Sequence, residues 1–215
     1  MKLTAIVRLF CTALVLACTA AGAQAAQRVW DFRVFLDDSP IGYHRFTLRD
    51  DGAERDLKVE ARFDVKILFF NAYKYTHDAM EHWRGNCLQS LNARTDDNGK
   101  RLAVDSTREG DRLAVVTARA RELLEGCVMS FAYWNPEILR QPRLLNPQTG
   151  EYEAVNVAAL GEESIVVRGA AVPARHYRIT GPKHPIDLWY SAAQEWLALD
   201  SEVDGGRKLR YRIER

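Results

Sequence analysis

Leu57-Lys58-Val59-Glu60-Ala61-Arg62-Phe63-Asp64-Val65 alternates apolar and polar residues without a break. A period of two places every apolar side chain on one face of an extended strand and every charge on the other. A strand with one dry and one wet face belongs to an antiparallel sheet, because parallel strands are covered on both sides. The same period continues outward from this stretch. Tyr73, Tyr75, His77, Ala79, Glu81 and Trp83 share one face of the next run, and Trp30, Phe32, Val34 and Leu36 share one face of an earlier run. Near the C-terminal end Leu209, Tyr211 and Ile213 alternate with basic residues.

Turn-forming residues separate these runs at short intervals: Asp37-Asp38-Ser39-Pro40, Asp50-Asp51-Gly52, Asp96-Asp97-Asn98-Gly99, Arg108-Glu109-Gly110-Asp111, Asn146-Pro147-Gln148-Thr149-Gly150 and Asp204-Gly205-Gly206. Gly and Asn accept the positive φ that tight hairpins need. The chain therefore reads as all-β, an antiparallel meander of roughly ten strands. A sheet that wide, with no helices to cover it, must curl. A barrel or half-barrel is expected, with a two-sheet sandwich as the alternative. One short helix is predicted where Asn135 precedes Pro136 and Glu137, a cap, a first-position proline and a first-turn acid. Pro142 ends it within two turns. Residues 119–124 are a second candidate for a short helical turn.

The first 25 residues are of another kind. Lys2 and Arg8 supply a positive start, Leu9 to Cys18 is apolar, and small residues lead to Ala23-Gln24-Ala25. That order predicts a signal peptide over residues 1–25, cut after Ala25 or Ala26, with one β domain over 26–215. The apolar run is about half the roughly 20 residues a membrane helix needs. Val15-Leu16-Ala17-Cys18 offers the alternative of a lipid anchor through Cys18. The expected location is periplasmic or secreted, and no later segment suits an integral membrane protein. Losing Lys2 and Arg8 from 30 basic residues against 29 acidic ones leaves a net charge of −1. That balance favours neither nucleic acid nor an anionic membrane surface.

Cys11 and Cys18 fall in the signal, leaving Cys87 and Cys127. Two cysteines in an oxidising compartment usually pair, so a Cys87–Cys127 disulfide is expected. A redox pair would sit as C-x-x-C, which these do not.

His77-Asp78-Ala79-Met80-Glu81-His82 is the most tempting polar cluster. On a helix His77 and Glu81 would share a face and begin a metal site. On a strand they lie roughly 13 Å apart, with His82 pointing the other way. The flanking period of two favours the strand, so no metal site is expected. No G-x-S-x-G, glycine-rich phosphate loop or ordered Ser–His–Asp set is present, so no catalytic residue or cofactor is assigned, and an enzyme ranks last. Aromatics remain: Phe63, Phe69, Phe70, Tyr73, Tyr75 and Trp83 crowd one stretch, and Phe131, Tyr133 and Trp134 another. Aromatics are common in β cores, yet small barrels also use them to line a ligand cavity. The candidate ligand-binding residues are Tyr73, Tyr75, His77, Trp83, Tyr133, Trp134 and Asn135. The function read from them is binding of a lipid or other apolar or amphipathic molecule. The alternative is an envelope assembly protein that binds another protein and has a filled core. In the first reading the short helix plugs one mouth of the barrel, with Tyr133 and Trp134 facing its interior.

Several segments taken together resemble a known family. They are Pro40-Ile41-Gly42 with His44 and Phe46, Glu81-His82-Trp83 before Cys87-Leu88, Phe131-Ala132-Tyr133-Trp134-Asn135-Pro136, Leu144-Leu145-Asn146 with Gln148-Thr149-Gly150, and Asp187-Leu188-Trp189-Tyr190. The family comprises exported Gram-negative envelope proteins known only as a domain of unknown function. The C-terminal half is also similar to a second uncharacterised group of envelope β-proteins. The resemblance implies a curved antiparallel sheet or barrel, lipocalin-like or lipoprotein-carrier-like. It implies no activity.

Overall fold

The computed structural model describes residues 26–67 and 70–213. The predicted signal segment, including Cys18, and Phe69 lie outside the described residues. Strands β1 (Ala26–Leu36), β2 (Ser39–Asp50), β3 (Glu54–Ile67), β4 (Phe70–Arg84), β5 (Cys87–Asp97), β6 (Lys100–Glu109), β7 (Arg112–Thr117) and β8 (Arg121–Glu125) pair in succession as antiparallel neighbours. A connecting segment follows, with a single 3₁₀ turn (Pro136–Arg140) and a small ladder of β9 (Arg143–Leu145) and β10 (Tyr152–Ala154). The meander then resumes through β11 (Asn156–Val167), β12 (Ala170–Thr180), β13 (Ile186–Tyr190), β14 (Trp196–Val203) and β15 (Arg207–Ile213). The two runs join where β15 pairs with β1, Phe32 opposite Ile213 and Leu36 opposite Leu209. One sheet of 13 strands results, with β8 and β11 as its open edges.

Turn chemistry sets the hairpins. Asn98 and Gly99 both take positive φ, 52° and 92°, and let Asp97 pair directly with Lys100. That is the geometry whose twist matches the flanking strands. Gly42 answers a different demand. Its φ is 152°, and a Cβ there would fall 1.8 Å from the carbonyl oxygen of Arg62 on β3. Only glycine lets β2 approach that closely.

Non-neighbouring strands reveal the curl. Strands β2 and β14 stand three steps apart, roughly 14 Å in a flat sheet, yet the rings of Phe46 and Trp196 lie 5.0 Å apart between centroids. Phe63 on β3 and Tyr211 on β15, also three steps apart, meet at 6.3 Å. The sheet is therefore strongly concave on its apolar face. Bulges assist the bending. At His82/Trp83 the β4–β5 register slips, so Trp83 faces Leu88 while Glu81 faces Leu91. Leu88 and Leu91, three apart, both end up buried.

The open barrel solves its covering problem with its own chain. Residues 126–155 carry the path from edge β8 to edge β11 across the concave face. Val128, Met129, Phe131, Ile138, Leu144 and Leu145 on this strap are all buried. On one side the Val128 carbonyl accepts from the Leu88 N–H at 2.9 Å, beside the Cys87–Cys127 disulfide, whose Cα atoms are 4.9 Å apart. On the other side the Tyr190 hydroxyl donates to the Tyr133 carbonyl at 2.7 Å. The strap thus ties β5 to β13 across the concave face without strand pairing.

Three local expectations need correction. Residues 121–125 form edge strand β8 rather than a helical turn, since Leu124 opposite Leu113 on β7 is buried and pairing overrides the helical preference of Arg-Glu-Leu-Leu-Glu. Phe131 and Tyr133 do not end a strand. They lie in a tight irregular turn, closed by Ala132 N–H to Ser130 C=O and Asn135 N–H to Ala132 C=O. The predicted helix is one 3₁₀ turn. Asn135 caps it as expected, accepting from the Glu137 N–H at 3.2 Å. The strand total exceeds the expected ten through β8, the β9–β10 ladder and a longer C-terminal meander.

Candidate functional site

Strand β4 turns Tyr75, His77, Ala79, Glu81 and Trp83 toward the concave side, and all five are buried. His77 and Glu81 stand out there, because burying an ionisable group is unfavourable unless it is neutral or paired. His77 Nδ1 lies 2.8 Å from Thr95 Oγ1 on β5. Burial pushes its pKa from 6.5 down to about 4, against a smaller upward pull from Asp78. The imidazole is therefore neutral at neutral pH. Glu81 accepts hydrogen bonds from the Trp83 indole N–H at 2.9 Å and the Ser130 hydroxyl at 3.0 Å. Burial raises its pKa from 4.5 to about 7 even though both hydrogen bonds oppose the rise. Glu81 thus exchanges its proton near neutrality, and Ser130 ties it to the strap.

His44 on β2 is a third polar group on this face. Its ring stacks on Phe46 at 4.2 Å, and Nδ1 is 3.4 Å from the Tyr211 hydroxyl. Burial, then the neighbouring His77, hold its pKa well below the ordinary value.

A cavity of about 170 Å³ lies between this face and the strap. Phe46, Leu57, Val59, Ala79, Phe131 and Ile186 give it apolar walls, and His44, His77, Glu81, Tyr133 and Trp134 supply the polar atoms. Asn146, Pro147 and Gln148 of the strap and Pro182 of the β12–β13 loop also border it. Among the described residues neither lysine nor arginine does. Two of the lining residues carry a buried polar atom with no partner among the described residues, His44 Nε2 and Trp134 Nε1. Each orphan costs about 1–3 kcal/mol. Trp134 is otherwise well held, edge-on to Trp83 at 5.6 Å and under the Arg55 guanidinium at 5.2 Å.

A family model described as a domain of unknown function, DUF6134, matches residues 32–214. The chain belongs to that family. The DUF6134 fold is similar to a crystal structure described as a beta-barrel-like protein of domain of unknown function DUF1849 from Brucella abortus. That match has a TM-score of 0.59 over 89% of this chain and 96% of the other, at 9% identity, and so concerns the fold alone. No curated protein matches the DUF6134 chain in sequence. Among the described residues no helix is long and apolar enough to cross a membrane, and no group of three or more His, Cys, Asp or Glu is placed to hold a metal ion.

Of the seven candidate residues in this DUF6134 chain, His77, Tyr133 and Trp134 border the cavity and the other four do not. Tyr75 stacks on Phe63 at 5.1 Å, and Tyr73 donates to Asp97 at 2.8 Å near the end of β4. Trp83 is packed behind Glu81. Asn135 caps the 3₁₀ turn and donates to Asn86 at 3.1 Å. His44 and Glu81 were missed as lining residues. Both signals lay in the alternation: His44 is in phase with Phe46 and Leu48, and Glu81 with Ala79 and Trp83. Chemically the site can enclose an apolar body and offer it hydrogen bonds from neutral groups. Ser130 is engaged with Glu81 and is not an evident nucleophile.

Proposed function

We propose that the protein is a periplasmic binding or accessory module that holds an apolar or amphipathic small molecule between its concave sheet and strap. One observation carries the reading. A mostly apolar face keeps His44, His77 and Glu81 around a cavity, where leucine or phenylalanine would fill the space and stabilise the core. Functional sites are where a fold retains such groups. The size sets the guest. A cavity of about 150 Å³ admits benzene, whereas drug-sized ligands occupy about 300–1,000 Å³. This site, at about 170 Å³, suits a single ring, a short alkyl chain, or the tip of a longer amphiphile. The Cys87–Cys127 disulfide supports an oxidising compartment.

Native mass spectrometry of protein purified from the cell envelope tests the reading. A discrete non-covalent mass that is lost on Ala79→Leu, which narrows the cavity, supports it. Bare protein alone, from every preparation, counts against it. The open edge favours a second reading. Strand β11 leaves Leu160 and Val166 exposed at 48% and 64%, a place where a partner protein would add a strand. Stoichiometric co-purification of a protein, with no small molecule, favours that role.

A further inference from the structure

We infer that the guest presents an uncharged oxygen, a carbonyl, ester or hydroxyl, to the Trp134 indole at one end of the cavity. The inference rests on the cavity reading and adds the chemical class of its ligand.

Three observations select the class. Trp134 Nε1 is buried without a partner, and an indole N–H can only donate, so whatever satisfies it must be an acceptor. An ammonium is excluded at that position, since it has no lone pair to offer. His44 Nε2, toward the other end beside His77, is likewise buried and unpartnered among the described residues. With Nδ1 accepting from the Tyr211 hydroxyl, Nε2 carries the hydrogen and is a second donor. In the other tautomer it accepts from a guest hydroxyl. Finally, the charges around the cavity oppose an anion. Among the described residues no lysine or arginine borders it, both histidines are held neutral by burial, and Glu81 is the one acid in the wall. A carboxylate or phosphate head would be desolvated there with no lysine or arginine among the lining residues to pair it. An uncharged oxygen meets none of these penalties.

Single-ring probes that differ only in their head group separate the outcomes. The purified protein is titrated with toluene, acetophenone, benzyl alcohol, benzoate and benzylamine, using the methyl resonances of Ala79 and Ala132 as reporters. Acetophenone and benzyl alcohol should bind about tenfold more tightly than benzoate and benzylamine, the worth of one hydrogen bond in a dry site. Trp134→Phe should weaken acetophenone by about tenfold and leave toluene unchanged, which also shows that the variant keeps its cavity. Benzoate or benzylamine binding most tightly overturns the inference. Toluene matching the oxygenated probes overturns it too, while leaving the cavity reading intact. Failure of every probe, toluene included, removes the cavity reading and the inference with it.

Discussion

Replacing Glu81 by glutamine isolates the free energy of burying an ionisable group in this core. Glutamine keeps the shape and both contacts, its carbonyl accepting from the Trp83 indole and its amide donating to the Ser130 hydroxyl. It cannot ionise. In the native protein burial raises the Glu81 pKa from 4.5 to about 7. Below pH 4.5 the carboxyl is protonated in both folded and unfolded chains, and this term is constant. Between pH 4.5 and about 7 the unfolded chain has lost the proton and the folded chain has kept it. Stability therefore falls as pH rises, by about 1.4 kcal/mol per pH unit. The full window is worth about 3 kcal/mol, lost once pH exceeds the folded pKa. His77 has the opposite sense. Its pKa is depressed to about 4, so its contribution is lost as pH falls below the unfolded value, but this background is common to both proteins and cancels in their difference. Urea unfolding followed by tryptophan fluorescence, from about pH 4.5 to about pH 8, gives that difference directly. Glu81→Gln should gain on the parent by about 3 kcal/mol across the range. Two parallel stability curves, offset by a constant, would refute the claim that Glu81 is buried and protonated at the cavity wall.

Other perturbations address the frame around the site. Cys87→Ser with Cys127→Ser opens a bridge spanning 40 positions and should lower stability by about 4 kcal/mol in the chain-entropy model, read as a fall in urea midpoint against the oxidised parent. Asn135→Ala removes the cap on Glu137 N–H and the bond to Asn86, and should cost about 1–2 kcal/mol by thermal unfolding with the circular dichroism spectrum unchanged. Gly42→Ala forces a Cβ against the Arg62 carbonyl. A loss of about 3 kcal/mol is expected, and a variant as stable as the parent would mean that β2 and β3 are not so close.

Alternation made most of the sheet legible, because local periodicity alone decides which side of a strand is dry. Leu57 to Val65 and Tyr73 to Trp83 are placed as their spacing demands. What local pattern cannot carry is long-range pairing. The β1–β15 junction joins Phe32 to Ile213, and nothing near either residue announces the other. The strap was illegible for a related reason. Val128 to Ala132 has no period, since its side chains point into a core assembled from both halves of the chain. Glu81 shows the limit at the site. A carboxylate on an apolar face is ordinarily a solvated one, and the hydroxyl that makes its burial tolerable belongs to Ser130, 49 residues away. The disulfide was legible from cysteine number and from the export expected of residues 1–25, which need no geometry.

The central claim is that the space under the strap receives an apolar guest, and crystals of the protein soaked with bromobenzene test it most directly. An anomalous bromine peak enclosed by Ala79, Phe131, Tyr133 and Trp134 is expected, with the sheet and strap otherwise unmoved. A cavity closed by side chains, with bromine found at surface sites alone, would contradict it.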